Sequence, residues 1–396
     1  MSFQANMLIG EIAERIASGI ERLSRSKYDF STYTDVLKAI AAGDIDLIPQ
    51  GQEFTVEHAV YTDITYVVMR KNVDAVADDP DAKTVLLMPK FLLSAKGSNS
   101  AATFQFDRPE AFHAPLTEEI PAGTVCKFTT ITYGGWVAGT YHFTATEAIP
   151  VGSMLCISGY QNTPLTSLNV VVYASQKATT ASASYAIADG DGGATLDLGT
   201  WGTDCNHPQR VSYGSNNDAE SGLLQFLNAD TGEAFMDSVW VPKTQYDMMP
   251  TSFTSLKGFL GGLPEAFRNA LKTCVVHNIT NNVFEAQDSA YTVNSAITYN
   301  AKIFLPSRKE IYGSNENNNE ASETQFPYYA NIATTNADKL MYAKGETSPK
   351  SYWLRTPAAG SAYYVRVCHT GDGGALSYHS ASNAYGVAPL AILAAA

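Results

Sequence analysis

Seven histidines (His58, His113, His142, His207, His277, His369 and His379) and five cysteines (Cys126, Cys156, Cys205, Cys274 and Cys368) are the side chains best suited to holding a metal or acting as nucleophiles. None stands at a working spacing. There is no C-x-x-C pair and no H-E-x-x-H, and the Walker A, G-x-G-x-x-G and G-x-S-x-G sequences are absent as well. Asp189-Gly190-Asp191-Gly192-Gly193 offers two carboxylates to a weak calcium site, but no Glu closes a suitable loop, so a plain turn is the better reading. Asp372, between glycines, is likewise a turn aspartate. No catalytic residue, cofactor or metal is expected from these residues, and the chain is expected to be a non-enzyme.

The chemistry that remains is recognition. Tyr363, Tyr364 and Tyr378 offer wide amphipathic contact at little entropic cost, while Ser361, Ser377, Ser380, Ser382, His369, His379 and Asn383 supply adaptable hydrogen bonds. Antibody loops combine the same residue types. Ala358, Ala359, Ala362, Ala381 and Ala384 leave room between them, and Val365, Val367 and Leu376 alternate as inward strand residues.

Composition bounds the frame that must hold these residues. The 396 residues suffice for two or three domains with real cores. A net charge of −13 with scattered Lys and Arg argues against nucleic-acid binding. No apolar run reaches membrane-spanning length, and the start lacks the pattern of a secretory signal, so the expectation is neither membrane insertion nor export by its own signal. Dispersed cysteines suit synthesis in a reducing cytoplasm.

Along the chain, Ile9, Ile12, Ile16, Ile20 and Leu23 predict an amphipathic helix for docking or assembly within 1–28. A β-rich attachment or oligomerisation region is expected over 29–103, with Ile64–Val68 and Val85–Leu87 as strands. A β-sandwich-like domain is expected over 104–186, its strands opened by the turns Ile120-Pro121-Ala122-Gly123 and Ile149-Pro150-Val151-Gly152. The small-residue segment 178–188 reads as a domain junction, and the last domain spans 187–396. Helices are expected around 218–228 and from Pro264, and the Asn-rich 314–319 reads as a surface loop.

The run Tyr352-Trp353-Leu354-Arg355-Thr356-Pro357, followed about thirty residues later by Gly386-Val387-Ala388-Pro389, resembles the end of the C-type-lectin-fold variable proteins of diversity-generating retroelements. The helix at 221–228, Gly258-Phe259-Leu260-Gly261-Gly262-Leu263-Pro264, and the run from Ile303 to Gly313 fit the same family. The resemblance covers roughly residues 190–393. It implies an α+β fold: a C-terminal C-type-lectin-like domain preceded by β-rich, sandwich- or prism-like display domains and the N-terminal amphipathic helix. It also implies a scaffold of Trp353, Leu354, Arg355, Gly386, Val387 and Pro389 beneath a variable, ligand-binding face. The residues assigned to that face are Ala358, Ala359, Ser361, Ala362, Tyr363, Tyr364, Arg366, Cys368, His369, Ser377, Tyr378, His379, Ser380, Ser382 and Asn383. Cys368 reads equally well as a half-buried small hydrophobe. The sequence Gly386-Val387-Ala388-Pro389 departs from the family where an Arg often follows the Val.

Codon arithmetic tests the resemblance independently. Such retroelements mutate adenines, and an AAC or AAT codon randomised at its first two positions never encodes Gln, Lys, Glu, Met or Trp. None of the five occurs from Leu354 to Ala396, although together they make up about a sixth of the residues before it.

The resemblance therefore implies a phage receptor-binding protein on the virion surface after cytoplasmic synthesis. Its partners would be a host-surface receptor and other virion subunits, in a homo-oligomer with a trimer favoured. The alternative is a structural capsid or tail decoration protein with a fixed lectin-like domain. Calcium-dependent lectins of that fold need Glu-Pro-Asn or Gln-Pro-Asp and Trp-Asn-Asp, which are absent. Its oxidases need cooperating cysteines, whereas Cys205, Cys274 and Cys368 stand alone.

Overall fold

The computed structural model describes residues 27–72, 74–130, 138–158, 164–201, 210–230, 239–253, 257–281, 294–316, 323–359, 361 and 363–394. Its largest sheet runs in the order Glu53–Val56, Ile64–Lys71, Thr84–Pro89, Leu390–Ala394 and Ile303–Phe304, every pair antiparallel. Leu390–Ala394 sits between Thr84–Pro89 and Ile303–Phe304 and is buried along its whole length. That burial suits a strand with no polar side chain on either face. Strands from the expected attachment region and from the expected variable domain thus share one sheet. The core beneath joins Phe54, Tyr66, Leu87 and Phe104 to Phe226, Phe259, Trp353 and Leu393.

A second body is formed by two sheets over one core. One sheet runs Ala188–Asp189, Gly139–Thr144, Val125–Thr130, Leu196–Trp201, and the other runs Met154–Ile157, Asn169–Tyr173, Ala183–Ala186. Alternating burial along Val125–Thr130 sends Cys126 and Phe128 inward. Phe128 stacks on Trp201 at 4.0 Å, bringing the parallel strand Leu196–Trp201 into the same core. The two Ile-Pro-x-Gly turns pair with one another: Ile120 and Ile149 exchange hydrogen bonds of 3.0 and 2.9 Å. Residues 183–186, inside the segment expected to join two domains, are a strand of this body.

A third sheet carries the recognition residues. It runs Tyr352–Pro357, Tyr364–His369, Ala375–Ser380, all antiparallel, with a register shift between Trp353 and Pro357.

These features correct the expected fold class. The described residues are mostly β-sheet, divided over several small sheets with no closed barrel among them, in place of an α+β fold with a C-type-lectin-like domain behind sandwich- or prism-like display domains. The physical reason is that the helices are stopped early. The longest among the described residues, Tyr33–Ala41, has nine residues. Gly222–Asn228 begins only at its Ser221 cap, after a 3₁₀ turn at Asp218–Glu220. Arg308–Tyr312 has a full capping box at Ser307 and ends one turn later at Gly313, whose φ of 73° is left-handed. The N-terminal amphipathic helix expected over Ile9 to Leu23 lies outside the described residues.

Candidate recognition site

The sheet's pairing sorts the expected face into two. Tyr364 lies opposite Ser380, Arg366 opposite Tyr378, and Cys368 opposite Leu376, so these six share one side. Val365, Val367 and His369 face the other way, opposite His379, Ser377 and Ala375. On that second side Val365 and Val367 enter the core against Trp353 and Val387. His379 lies 5.2 Å from His369 and 4.9 Å from Tyr385, ring centre to ring centre. Burial and the neighbouring His369 hold its pKa below the ordinary histidine value. His369 Nδ1 is 3.1 Å from Asp372 Oδ2, so Asp372 has a partner within its own turn.

The first side carries the site. Ring centroids follow one another from Tyr213 to Tyr363 (4.3 Å), Tyr364 (4.1 Å) and Tyr378 (4.8 Å), and the Arg366 guanidinium lies over Tyr378 at 5.4 Å. Such contacts add about 0.5–1.5 kcal/mol each beyond burial and hold the rings in place. Tyr378 is 49% exposed. Against the row lies a cup of about 280 Å³ lined by Ala358, Ala359, Ser361, Tyr363, Tyr364, Arg366 and Tyr378, every one a residue assigned to the variable face.

The loop that closes the cup is tied down by side chains from elsewhere. Asn216 Nδ2 donates to the carbonyls of Ser361 (2.7 Å) and Tyr364 (3.1 Å). Ser361 Oγ accepts from the amides of Tyr363 and Tyr364, and the Ala358 amide donates to the Tyr364 carbonyl at 2.8 Å. Glu316, buried, receives Arg366 Nε at 2.8 Å and Nη2 at 2.6 Å, the Ala359 amide at 2.9 Å, and Arg308. Burial pushes its carboxyl upward, but these cationic and amide donors outweigh burial and hold it below the ordinary value. Tyr213, reached through the hydrogen bond from the Ser382 amide to its carbonyl, has its hydroxyl pushed up to about 12 by burial, with Tyr364 adding to the shift.

Not every expected contact residue reaches this surface. Cys368 lies on the same side of the sheet but is buried among Tyr352, Leu354 and Tyr329, and burial raises its thiol pKa. It is a core residue, which removes it from the ligand-binding set. Ala358 and Ser361 are buried and line the cup. His369, Ser377 and His379 stand on the opposite side, Ser382 and Asn383 lie in the following turn, and Ala362 lies outside the described residues. Tyr213, Asn216, Arg308 and Glu316 escaped sequence reasoning. Glu316 sits in the Asn-rich run read as a surface loop, and no spacing connects any of the four to residues 358–378.

The scaffold residues lie beneath. Trp353 Nε1 donates to the Phe104 carbonyl at 2.7 Å, and the Trp353 amide to the Gly386 carbonyl at 3.0 Å. A Cβ at Gly386 would sit 2.7 Å from Leu92 Cδ1 and 3.2 Å from the Ser351 carbonyl oxygen, so Leu92 would have to shift to admit it. Arg355 is fully enclosed. Nη1 donates to Glu310 (2.6 Å) and to the Leu305 carbonyl (2.6 Å), Nε to the His277 carbonyl (3.1 Å), and Nη2 to Glu323. Arg70, on the large-sheet strand Ile64–Lys71, pairs with Asp74 and, at 2.9 Å, with Glu310. Leu354, Val387 and Pro389 are buried.

Among the described residues no group of three or more His, Cys, Asp or Glu is placed to hold a metal ion, and no helix is long and apolar enough to cross a membrane. Asp191 Oδ1 accepts the Gly193 amide at 3.2 Å, the hydrogen bond of an Asx turn. No curated protein and no solved structure matches the chain. Residues 204–395, which contain the tyrosine row, its clamp and the Arg355 network apart from Arg70 and Asp74, are similar to the family described as Domain of unknown function (DUF6273).

Proposed function

We propose that the chain is a ligand-binding protein rather than an enzyme, and that the segment around 358–385 is a recognition face diversified by a retroelement. In this reading the face serves phage attachment to host cells. The observation that carries the proposal is the cup beside the tyrosine row, because all seven lining residues come from the segment free of Gln, Lys, Glu, Met and Trp. Exposed aromatic and small polar residues over a buried scaffold suit a surface whose side chains change while its backbone does not. The protein would be displayed on the virion as a homo-oligomer, trimer favoured, so that several modest sites act together. Sequencing the 3′ part of the gene across a population tests the reading. Substitutions concentrated at adenine-derived positions between codons 358 and 385, with Trp353, Leu354 and Pro389 untouched and a templating repeat nearby, are expected. A segment as invariant as 200–350 overturns it.

A further inference from the structure

The cup's own chemistry specifies what this sequence variant takes, given the recognition role proposed above. Arg366 commits Nε and Nη2 to Glu316, while Nη1 makes no hydrogen bond among the described residues. The Tyr364 and Tyr378 hydroxyls make none there either. A guanidinium only donates, and Glu316, the carboxylate that the described residues bring to Arg366, is already enclosed by Arg366, Arg308 and the Ala359 amide, so among the described residues the site presents donors without a free anionic acceptor. Among the described residues, Arg366 and Arg308 against Glu316 leave one positive charge in excess, in a chain whose net charge is −13. The fixed fork holds the guanidinium in place before a ligand arrives. The remaining lining is tyrosine rings together with Ala358, Ala359 and Ser361, with room for one ring-sized group.

We infer that the occupant is an acidic sugar residue, a carboxylate-bearing pyranose at the end of a cell-surface polysaccharide. Its carboxylate meets Arg366 Nη1, its hydroxyls meet Tyr364 and Tyr378, and its C–H surface lies against the tyrosine rings.

Calorimetric titration of the full chain with a glucuronate-terminated disaccharide and with its glucose-terminated counterpart tests this. The acidic sugar is expected to bind at least about tenfold more tightly, as one charge-assisted hydrogen bond allows. Arg366→Gln is expected to abolish that preference, and Tyr378→Phe to weaken binding of the acidic sugar while leaving the cup intact. Equal binding of the two sugars, binding of neither, or a preference that survives Arg366→Gln overturns the inference, as does competition by peptides that neither sugar reproduces. Population sequencing separates this failure from the broader one. A diversified 358–385 without acidic preference sinks only the sugar class, whereas an invariant segment sinks the recognition face on which the class rests.

Discussion

Replacing Arg355 with Met would remove the cation at the centre of the network that ties the third sheet to the rest of the chain. The guanidinium serves Glu310, Glu323 and the carbonyl of Leu305, all buried, and the part-buried carbonyl of His277. Removing one partner from a buried ion network costs about 3–5 kcal/mol, because the opposite charge stays buried. Two carbonyls losing their donor add about 1–3 kcal/mol each, reduced by whatever water enters. Glu310 retains Arg70 and the Ser307 amide, and Glu323 retains the Ser307 hydroxyl, so the lower part of the combined range applies. The expected loss is about 5 kcal/mol, a large share of the ~5–15 kcal/mol that holds a typical domain. Urea unfolding followed by tryptophan fluorescence reads it, with Trp353 two residues away as the reporter. A companion variant replacing Arg355, Glu310 and Glu323 together with apolar residues is expected to lose less than Arg355→Met alone, since no stranded charge remains and Arg70 keeps Asp74. A loss below about 1 kcal/mol for the single variant, or a larger loss for the triple one, would refute the account.

Burial raises the Asp218 carboxyl to about 6, with Tyr299 and Arg355 acting against the shift. Protonation therefore favours the folded state, and the wild type should gain about 1 kcal/mol relative to Asp218→Asn between roughly pH 7.5 and pH 5, read by unfolding at both values. Glu310 and Glu316, buried but held below the usual value of 4.5 by their arginines, act with the opposite sign. Their stabilisation is present above that value and lost as pH falls through the folded pKa, so Glu316→Gln should flatten the acid limb of the stability profile. At Gly258 an added Cβ would fall 2.2 Å from Ala229 Cβ and 2.4 Å from its carbonyl oxygen, and Gly258→Ala should cost at least about 2–3 kcal/mol in chemical denaturation. Tyr378→Ala gives up the ring contact with Tyr364 and the guanidinium contact with Arg366 and should cost about 1–3 kcal/mol in chemical denaturation, so its loss of binding is read in samples whose unfolding curves show the variant folded.

What was legible from sequence is local. β-Type runs marked Ile64–Val68 and Val85–Leu87, which fall inside the strands Ile64–Lys71 and Thr84–Pro89, because strand patterning is a property of the local sequence itself. The Ile-Pro-x-Gly pair was visible as turns, and the glycines at 258 and 262 as a motif, although their partners, Ala229 and His58, were not. The tyrosine-rich segment and its buried flanks could be read from residue types alone, and the cup lies within it. Class and connectivity were not legible. Short capped turns look like helix starts, and nothing local says that Leu390–Ala394 will pair with Thr84–Pro89 three hundred residues earlier in the chain. Only tertiary packing placed Cys368 inside and His369 and His379 on the reverse side, since register decides which alternate residues face out. Only packing brought Glu316, Arg308, Asn216 and Tyr213 to the site, because a buried charge is satisfied through space, by partners whose separation along the chain carries no signal.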